Sequence, residues 1–324
     1  MQTSSKISEK KVSELRSNAR QMVRELGLLK EAFGPFGVTL TERHLLLELD
    51  RSAYPQVNDI AAALLLDKSS ASRLISRAVK KGFVNYVQDD HDRRRRLLQL
   101  SEKGKQALTA VETLAQAHVM NALKVLNEEE ALTVCKGMEL FAKGLVQSRK
   151  GELALSSLAQ VQVQLRALGL SFGEYQADDH KNLCEIFRDV VETGGQFPYK
   201  DSSAAEFNLR FLDSQSTTYV CRNADMKVIA GFYLRKNPSD DPRRVANAAY
   251  MIHRSARGKG LGKLLVEMSL LLAQTQDYQA MVYNMVYSQN LAAVSLYKKF
   301  GFKITKRLSG LDGIYDGYEM TREL

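Results

Sequence analysis

The feature that most constrains this chain is a run with three glycines in six residues, Arg257-Gly258-Lys259-Gly260-Leu261-Gly262. The apolar segment 248–252 before it predicts a buried strand, and the apolar-rich, proline-free segment 261–273 after it predicts a helix. The glycines therefore lie at a strand-to-helix turn, where bare backbone N–H groups and the helix dipole can hold a phosphate. Glycine has no Cβ to block the anion, and Arg257 and Lys259 add positive charge. The same turn also suits a tight connection that needs glycine only for backbone reasons.

A second pattern follows further along the chain and gives the glycine turn a chemical meaning. It runs from Asn290 to Phe302 and reads NLAAVSLYKKFGF. Together the two stretches resemble the pyrophosphate-binding turn and the following Asn–Tyr helix of the GNAT acetyltransferases. The first family pattern, Arg or Gln, two residues, Gly, one residue, Gly or Ala, is met by Arg257, Gly260 and Gly262. The second family pattern is met by Asn290, Ala293, Leu296, Tyr297 and the closing Gly301-Phe302.

The resemblance implies acetyl-CoA as the acetyl donor and an amine as the acceptor, with direct attack of the neutral amine on the thioester through a tetrahedral intermediate. It implies that the pyrophosphate is held by the N–H groups of Arg257, Gly258, Lys259, Gly260, Leu261 and Gly262. It also implies a backbone N–H near Ile252 for the oxyanion and a general acid for the leaving thiolate at Tyr297. The alternative for Tyr297 is an aromatic side chain that only packs on the sheet.

Five further residues are candidates for contacts with the two substrates, and most have a plain structural alternative. Asn290 fits a cofactor contact or a helix N-cap. Lys298 or Lys299 fits a contact with the CoA phosphates or a solvated surface. Asn284 interrupts an apolar strand and is predicted to bind substrate or to be a hydrogen-bonded structural amide. Tyr199 belongs to the segment 193–212, which is expected to form a lid on the acceptor side and favours a small amine or amino-acid-like acceptor.

The general base is where the sequence departs from the family pattern. Many members carry a carboxylate on the strand before the glycine turn, whereas residues 245–253 contain none. Histidine titrates near neutral pH, which makes His253 a candidate, but this residue abuts the turn and can serve the phosphates instead. Deprotonation of the amine by His253 and deprotonation through water both stay open.

The first half of the chain has a different pattern, in which short helices precede two strands and long helices follow. Helices are predicted over 8–33, 41–50, 58–65 and 69–81, strands over 83–88 and 95–100, a long helix after Ser101, and another from Glu128 to about Arg149. This order is that of a winged helix-turn-helix. The tip DDHDRR at 89–94 and the following LQLSEKG resemble the wing and exit of the MarR family of bacterial regulators. Two positions depart from the family: Asp90 stands where Pro is frequent, and Ser101 where Thr is frequent.

This second resemblance implies binding of double-stranded DNA at a palindromic operator, by a homodimer whose half-sites lie about one DNA turn apart. A helix in the major groove needs short hydroxyls for close approach and arginines for guanine edges or phosphates. The candidates are Ser69, Ser70, Ser72, Arg73, Ser76 and Arg77 on the helix over 69–81, and Arg93 and Arg94 in the wing. The residues expected to face the core are Leu74, Ile75, Ala78 and Val79. From charge alone, the alternative is a solvated basic hairpin beside an ordinary polar helix face.

The basic charge of the chain is concentrated in its first half, which agrees with a polyanionic partner there. Residues 1–150 contain 25 Lys and Arg against 18 Asp and Glu, so they carry +7 of the net charge of +9. No apolar run approaches the ~18 residues of a membrane span, and the polar N-terminus lacks the apolar core of a secretory signal. A cytoplasmic protein with no membrane partner is therefore expected. Cys135, Cys184 and Cys221 are expected to be free thiols, and no metal is expected because no Cys/His cluster has ligand spacing.

The 324 residues suffice for two domains. The expected fold class is multidomain: an all-α-rich winged helix-turn-helix over 1–149, a semi-ordered connector over 150–168, and an α/β GNAT fold with a mixed central sheet over 169–324. The leading hypothesis is an N-acetyltransferase joined to a DNA-binding regulator. One alternative is a transcription factor whose GNAT half only senses acetyl-CoA or a small ligand. Another is an enzyme whose helix-turn-helix serves only dimerisation.

Overall fold

A computed structural model of the protein describes residues 7–88, 96–194, 196–238, 241, 243–310 and 316–324. Contacts within the chain divide it into two compact units, Met1–Cys135 and Lys136–Leu324. Within the described ranges, no helix is both long and apolar enough to cross a membrane. In the same ranges, no group of three or more His, Cys, Asp or Glu side chains is placed to hold a metal ion.

The first unit has the predicted order of helices, a two-stranded hairpin and a long helix. Its elements are α1 (Glu9–Glu25), α2 (Leu40–Arg51), α3 (Val57–Ala63), α4 (Lys68–Lys80), β1 (Val84–Gln88), β2 (Arg96–Leu100) and α5 (Glu102–Leu123). The strands pair antiparallel from Val84 opposite Leu100 to Gln88 opposite Arg96. The expected wing tip, with its candidates Arg93 and Arg94, lies outside the described residues. The helical, winged class predicted for this half is confirmed.

Helix α1 is shorter than the pattern over 8–33 predicts, because a glycine cap ends it early. Gly27 has φ +68°, and its N–H donates to the carbonyl of Arg24 while that of Leu28 donates to Val23. This pair of bonds is a Schellman motif, in which a glycine in the left-handed region closes the last turn of a helix.

The core of the first unit forms because apolar residues recur at helical spacing on α2, α3 and α4. Leu74, Ile75 and Ala78 are buried, as predicted, whereas Val79 is only partly buried. Ser101 caps α5, also as predicted, by accepting a hydrogen bond from the N–H of Gly104 at 2.9 Å.

An ion pair fastens the C-terminal end of α4. Lys81 Nζ lies 2.8 Å from Glu42 Oε2 at the first turn of α2, and it also donates to the carbonyl of Gly37 at 3.2 Å. Burial by itself would raise the pKa of Glu42, but hydrogen bonds from Lys81 and from the backbone N–H of Thr39 outweigh burial and lower that pKa. The carboxylate therefore stays charged, and α4 presents its solvent face from a fixed position.

Residues 150–167 are helical, which corrects the expectation of a semi-ordered connector over 150–168. Helix α6 runs without interruption over Glu128–Ala167. Its buried apolar residues recur at helical spacing: Ala154, Leu158, Val161 and Leu165. Of these, Leu158, Val161 and Leu165 belong to the core of the second unit. The Ser, Gln and Ala residues between them suggested a loose segment, but this buried stripe stabilises the helix.

The second unit is an α/β domain built on one mixed sheet, as predicted. After α6 come β3 (Ser171–Glu174), α7 (His180–Thr193), α8 (Ala204–Phe211), β4 (Ser216–Arg222), β5 (Val228–Lys236), β6 (Val245–Ile252), α9 (Leu261–Thr275), β7 (Ala280–Tyr287), α10 (Leu291–Lys299), β8 (Lys303–Leu308) and β9 (Gly317–Glu323). The strand order is β3-β4-β5-β6-β7-β9-β8. Among the described strands of this sheet, β6 and β7 form the one parallel pair.

Helix α8 was not predicted, and it occupies part of the segment expected to be a lid. Ser203 caps it by accepting from the N–H of Glu206 at 3.2 Å. Phe207 and Phe211 are buried, and both rings pack on Phe187 of α7. This part of the segment is therefore fixed against the core.

The two parallel strands separate halfway along their length. Their pairing covers Val245–Asn247 and Ala280–Val282, although β6 continues to Ile252 and β7 to Tyr287. In its second half, β7 is bulged where it pairs with β9, and a bulge bends a strand. An opening therefore lies between the carboxyl ends of neighbouring parallel strands, where open α/β sheets bind ligands.

Candidate active site

A cavity of about 540 Å³ lies at the opening between β6 and β7. Its walls come from the turn before α9, the carboxyl halves of β6 and β7, α10, the segment 196–199, and side chains of α8 and β5. It brings together most residues singled out in the second half of the sequence: Tyr199, Ile252, Arg257, Gly258, Gly260, Leu261, Gly262, Asn284, Asn290 and Tyr297. Lys259 and Lys299 are exposed and do not line it; Lys299 lies at a separate surface depression on α10.

The turn before α9 has the backbone geometry of an anion cradle. Gly258 and Gly260 have φ of +76° and +79°, a region that residues with a Cβ rarely adopt. In the described part of the chain, and apart from the glycine itself and its two chain neighbours, no heavy atom lies within 4 Å of a Cβ built on either residue. A Cβ on Gly262 would meet Ile252 Cδ1 at 3.5 Å, an ordinary contact. Because the first N–H groups of a helix have no partner within it, a phosphate fits this open turn.

Arg257 is the charged residue of the turn that lines the cavity, and part of its guanidinium is already engaged. Its Nε donates to the carbonyl of Ile252 at 3.0 Å, and its NH2 lies 3.4 Å from Asp189 Oδ2. Arg257 therefore fastens the end of β6 to α7. Its other N–H groups stay available to an anion, since a guanidinium has five.

The backbone of β6 turns N–H groups toward the cavity. The N–H of His253 donates to the carbonyl of Ile229 on β5 at 2.8 Å. Alternate residues of an antiparallel pair direct their N–H groups to opposite sides, so those of Tyr250 and Ile252 point away from β5, to the side that β7 has left. Both residues line the cavity. This direction suits the role predicted for the N–H of Ile252. The N–H of Tyr250 points the same way, because it lies two residues earlier on the strand, but it was not among the predicted residues.

Tyr297 is half-buried on α10, and its ring packs against Tyr283 and Phe302 with centroid distances of 4.4 and 5.9 Å. It also lines the cavity, and its hydroxyl makes no hydrogen bond to any described residue. Burial raises the pKa of Tyr297 well above the ordinary tyrosine value, and the nearby Tyr250 adds to the shift. The phenol therefore holds its proton at neutral pH, so packing and proton donation are compatible roles.

Two neighbouring tyrosines are engaged differently. The hydroxyl of Tyr250 lies 2.6 Å from Ser269 Oγ and 2.7 Å from the hydroxyl of Tyr283. Burial raises the pKa of both tyrosines. Of these three phenols, that of Tyr297 is the one without a hydrogen bond within the described chain, which favours it as the donor.

The two asparagine candidates both line the cavity, and each also has a structural partner. Asn284 is exposed in the bulge of β7 rather than buried in a strand, and its Nδ2 donates to Asn237 Oδ1 at 2.8 Å. Asn290 caps α10 by accepting from the N–H of Ala293 at 3.1 Å. The cap considered as the alternative for Asn290 is present, and a substrate contact by either residue stays a prediction.

The cavity wall offers no obvious general base. Among the described residues that line it there is no Asp, Glu or His. His253 is engaged in a turn: its Nδ1 lies 2.7 Å from Ser255 Oγ and accepts from the N–H of Ser255 at 3.3 Å. This arrangement favours the water-mediated alternative.

The polar residues of the wall that sequence reasoning missed include Arg210, Tyr233, Arg235 and Asn247. Asn247 is buried on β6, where its Nδ2 donates to the carbonyl of Val282 at 2.8 Å and its Oδ1 accepts from the hydroxyl of Tyr233 at 2.9 Å. An amide inside an apolar strand is a signal that could have identified Asn247, as it did Asn284. No comparable pattern marks the two arginines.

In the first unit, α4 carries the residues predicted to read DNA. Ser69, Arg73, Ser76 and Arg77 are exposed, and Ser70 and Ser72 are half-buried. The hydroxyl of Ser70 donates to Asp67 Oδ2 at 2.7 Å and accepts from Arg73 NH2 at 2.9 Å. The hydroxyl and N–H of Ser70 hold the pKa of Asp67, the N-cap residue, well below its usual range. Ser70 therefore helps to cap the helix and to position Arg73.

Comparison with family models divides the chain in the same way as these two sites. Residues 36–95 match the MarR family. Residues 181–302 match the acetyltransferase (GNAT) family.

Three curated relatives match parts of the chain. N-acetyltransferase aca1 of Schizosaccharomyces pombe is 26% identical over 97 residues, 28% of this chain and 46% of that protein. The uncharacterized HTH-type transcriptional regulator YfiV of Bacillus subtilis is 25% identical over 113 residues, 35% of this chain and 71% of that protein. Peptidyl-lysine N-acetyltransferase YjaB of Salmonella typhimurium is 46% identical over 59 residues, 18% of this chain and 37% of that protein. The chain thus spans less than half the length of the two acetyltransferases.

Among solved structures, a GCN5-related N-acetyltransferase from Kribbella flavida is similar over 49% of this chain and 99% of its own. Its sequence identity is 23% and its TM-score 0.44.

Proposed function

Because this chain joins a MarR-family winged helix-turn-helix domain to a GNAT-family N-acetyltransferase domain, we propose that it is both a DNA-binding transcriptional regulator and an enzyme that acetylates a small amine with acetyl-CoA. The observation that carries the enzymatic half is the cavity in which the glycine turn, the N–H groups of β6 and the phenol of Tyr297 meet. The regulatory half is carried by the exposed Ser and Arg face of α4.

The glycine turn is the proposed binding site for the CoA pyrophosphate. When bound, acetyl-CoA supplies a thioester with an electrophilic carbonyl carbon and a thiolate leaving group. The turn binds the anion through the N–H groups of Gly258, Gly260, Leu261 and Gly262 at the positive end of α9. Arg257 adds a charged donor, and Lys259 adds positive charge from the exposed side of the turn.

Two groups of the chain act where charge develops. The N–H of Ile252, with that of Tyr250 two residues deeper in the opening, donates to the acyl oxygen, because both are directed into the opening. Tyr297 donates its phenolic proton to the departing sulfur, since its raised pKa keeps it protonated and its hydroxyl is otherwise unpaired in the described chain.

The attacking amine loses its proton to water in this proposal, because the described wall contains no carboxylate or imidazole. The arginines of the wall, Arg210, Arg235 and Arg257, each lie beside a carboxylate that does not line it: Glu206, Asp213 and Asp189. Their positive charge is therefore largely balanced, and the proposal does not rely on it to deprotonate the amine.

The first unit is proposed to bind a palindromic operator as a homodimer. Helix α1 has no buried residue, yet its apolar side chains recur on one face and are exposed: Val12, Leu15, Met22 and Val23. Such a face is stabilised when a second copy covers it. A two-fold dimer presents two α4 helices to successive major grooves.

The test is an acetyl-CoA turnover screen that follows free thiol, with small amines, amino acids and lysine-containing peptides as acceptors. Peptides are included because one relative is named a peptidyl-lysine N-acetyltransferase. Turnover with a small amine supports the proposal. Turnover with peptides alone would show that the acceptor is a peptide lysine and not a small amine. Binding of acetyl-CoA without turnover of any acceptor would favour a GNAT domain that only senses acetyl-CoA. Selection of a two-fold symmetric sequence from random duplex DNA tests the regulatory half.

A further inference from the structure

The wall of the cavity formed by segment 196–199, Arg210, Tyr233 and Arg235, here called the acceptor wall, lies away from the glycine turn along the strands. In the sheet register, Arg235 on β5 is opposite Asn247, whereas Ala230 is opposite Ile252. Five residues of strand correspond to roughly 16 Å. Arg235 is thus at the deep end of the opening, and its charge is separate from the pyrophosphate site.

Arg235 is incompletely paired for a mostly buried arginine. Its side chain is 23% exposed, and its Nε is buried without a hydrogen-bond partner. Its NH1 lies 3.3 Å from Asp213 Oδ2 and its NH2 3.4 Å from the hydroxyl of Tyr233, both at the long end of hydrogen-bonding range. A mostly buried guanidinium with such loose partners is costly unless a further anion completes it.

Another mostly buried arginine of the same unit, Arg222, shows how a structural arginine is paired in this protein. Arg222 donates through Nε to Asp179 Oδ1 at 2.7 Å, through NH2 to Asp179 Oδ2, and through NH2 to the carbonyl of Glu174 at 3.0 Å. It does not line the cavity. Arg235 has no such bidentate interaction with a carboxylate, and it lines the cavity.

Arg210 on α8 complements Arg235 on the same wall. Its Nε donates to Glu206 Oε1 at 2.7 Å, and its guanidinium lies 4.7 Å from the ring centroid of Tyr199. Arg235 is held similarly, 4.5 Å from the ring centroid of Tyr233. Glu206 does not line the cavity, and neither does Asp213. Both carboxylates therefore anchor the arginines from outside it, and each guanidinium keeps other N–H groups for a ligand.

We propose that the acceptor amine carries an anionic group, as a free amino acid does, and that Arg235 and Arg210 bind that group. Arginine is suited to this task because its planar fork pairs with a carboxylate through two hydrogen bonds. Arg235 is opposite Asn247, which is three residues from Tyr250 on β6, or roughly 10 Å along the strand. The Arg235 side chain and a small amino acid together span this distance. This inference rests on the proposed acetyltransferase function and specifies its acceptor.

The test compares matched ligands: each proteinogenic amino acid, its carboxamide, and its 1-aminophosphonate analogue where one exists. Their binding is measured by calorimetry to the full chain saturated with CoA, which requires no turnover. Their kcat/KM is measured in parallel with acetyl-CoA. At least one acid is expected to bind at least tenfold more tightly than its amide, as expected for charge-assisted hydrogen bonds. The phosphonate arm distinguishes a carboxylate site from one for phosphorus oxyanions.

Variants assign the effect to the arginines. Arg235→Met is expected to abolish the preference for acid over amide, while the affinities for the amide and for acetyl-CoA stay near those of the parent. Arg235→Lys is expected to restore part of the preference for the acid. Arg210→Met is expected to reduce the preference less. Arg307→Met, at an exposed position of β8, is the control and leaves it unchanged.

The inference is overturned if no acid binds better than its amide, or if Arg235→Met and Arg235→Lys weaken acid and amide alike. Its failure is distinguishable from that of the proposed function. If the parent protein acetylates amines that have no carboxylate as fast as those that have one, the acetyltransferase function stands and the arginine site is wrong. If the parent protein binds the acids through Arg235 but releases no thiol from acetyl-CoA, the arginine site stands and the acetyltransferase function is wrong.

Discussion

The side-chain amide of Asn247 donates to the carbonyl of Val282 at 2.8 Å, at the last register pair before β6 and β7 separate. Its Oδ1 accepts the hydroxyl of Tyr233 from β5 at 2.9 Å. One buried amide thus joins three adjacent strands at the point where the cavity begins. The sheet opens beyond this point and stays closed before it.

Asn247→Leu is expected to loosen the start of the opening, because the substitution leaves Tyr233 without its acceptor and Val282 without the amide donor. Loss of buried partners costs about 1–3 kcal/mol each. The measurement is hydrogen exchange of the amides of β6 and β7 in the full chain, which should show lower protection. Tyr233→Phe removes one of the two bonds and should have a smaller effect. Unchanged protection in Asn247→Leu would show that the amide does not hold the strands.

Gly260→Val is expected to weaken acetyl-CoA binding by tenfold or more, because valine disfavours φ of +79° and its side chain fills the space above the turn. Calorimetry with acetyl-CoA measures the change, and DNA binding should be retained. Gly262→Ala is the matched control, since a Cβ there makes only an ordinary contact with Ile252. If Gly260→Val binds acetyl-CoA like the parent, the turn is not the pyrophosphate site.

Tyr297→Phe is expected to lower kcat at least tenfold with acetyl-CoA binding nearly intact. General-acid contributions are typically about 100- to 10,000-fold, and the lower bound allows for the thiolate being a good leaving group. Phenylalanine preserves the ring packing on Tyr283 and Phe302. Tyr278→Phe, a buried tyrosine outside the cavity, is the control. A parental kcat in Tyr297→Phe, measured where chemistry limits the rate, would leave Tyr297 as a packing residue.

The pH dependence of kcat/KM follows from the same pKa. The pKa of Tyr297 is raised, so its proton is retained as the pH passes the ordinary tyrosine value of about 10. The fraction of neutral amine grows as the pH rises. The rate should therefore increase toward alkaline pH without a falling limb below about pH 10. A fall near pH 8 that disappears in Tyr297→Phe would contradict the retained proton.

Substitutions of two arginines should separate sequence reading from charge in DNA binding. Arg73→Ala is expected to relax sequence preference, because Arg73 is exposed on α4 and is held by Ser70 at 2.9 Å. Arg94→Ala, in the sequence of the wing, is expected to weaken binding and reduce the salt slope by about one phosphate contact. Titrations of operator and random duplex at several salt concentrations measure both effects, with Lys105→Ala as a surface control. Parental behaviour of both variants would favour a helix-turn-helix that serves only dimerisation.

Much of the architecture was predictable because its signals are local. The order of helices and strands, the cap at Ser101 and the turn at Gly258–Gly262 each follow from spacing within a few residues. The same holds for Tyr297, whose motif lies in one helix. Local patterns were misleading where tertiary contacts decide: α6 passes through the expected connector because its stripe, exemplified by Leu158, packs on a sheet that comes later in the chain.

The sequence by itself determined that this chain has a glycine-rich strand-to-helix turn followed by a tyrosine-bearing helix, since both depend on neighbouring residues. Only the tertiary structure decided which polar groups share the cavity. The pairing of distant strands brings Arg235 and Asn247 together, and α8 adds Arg210, although no short pattern relates them. Lys259 and Lys299 carry the right charge in the right motifs but do not line the cavity, because the direction of a side chain depends on the packing of its element. The separation of β6 from β7 is likewise set by pairing across the sheet, and it gives the N–H of Ile252 its access.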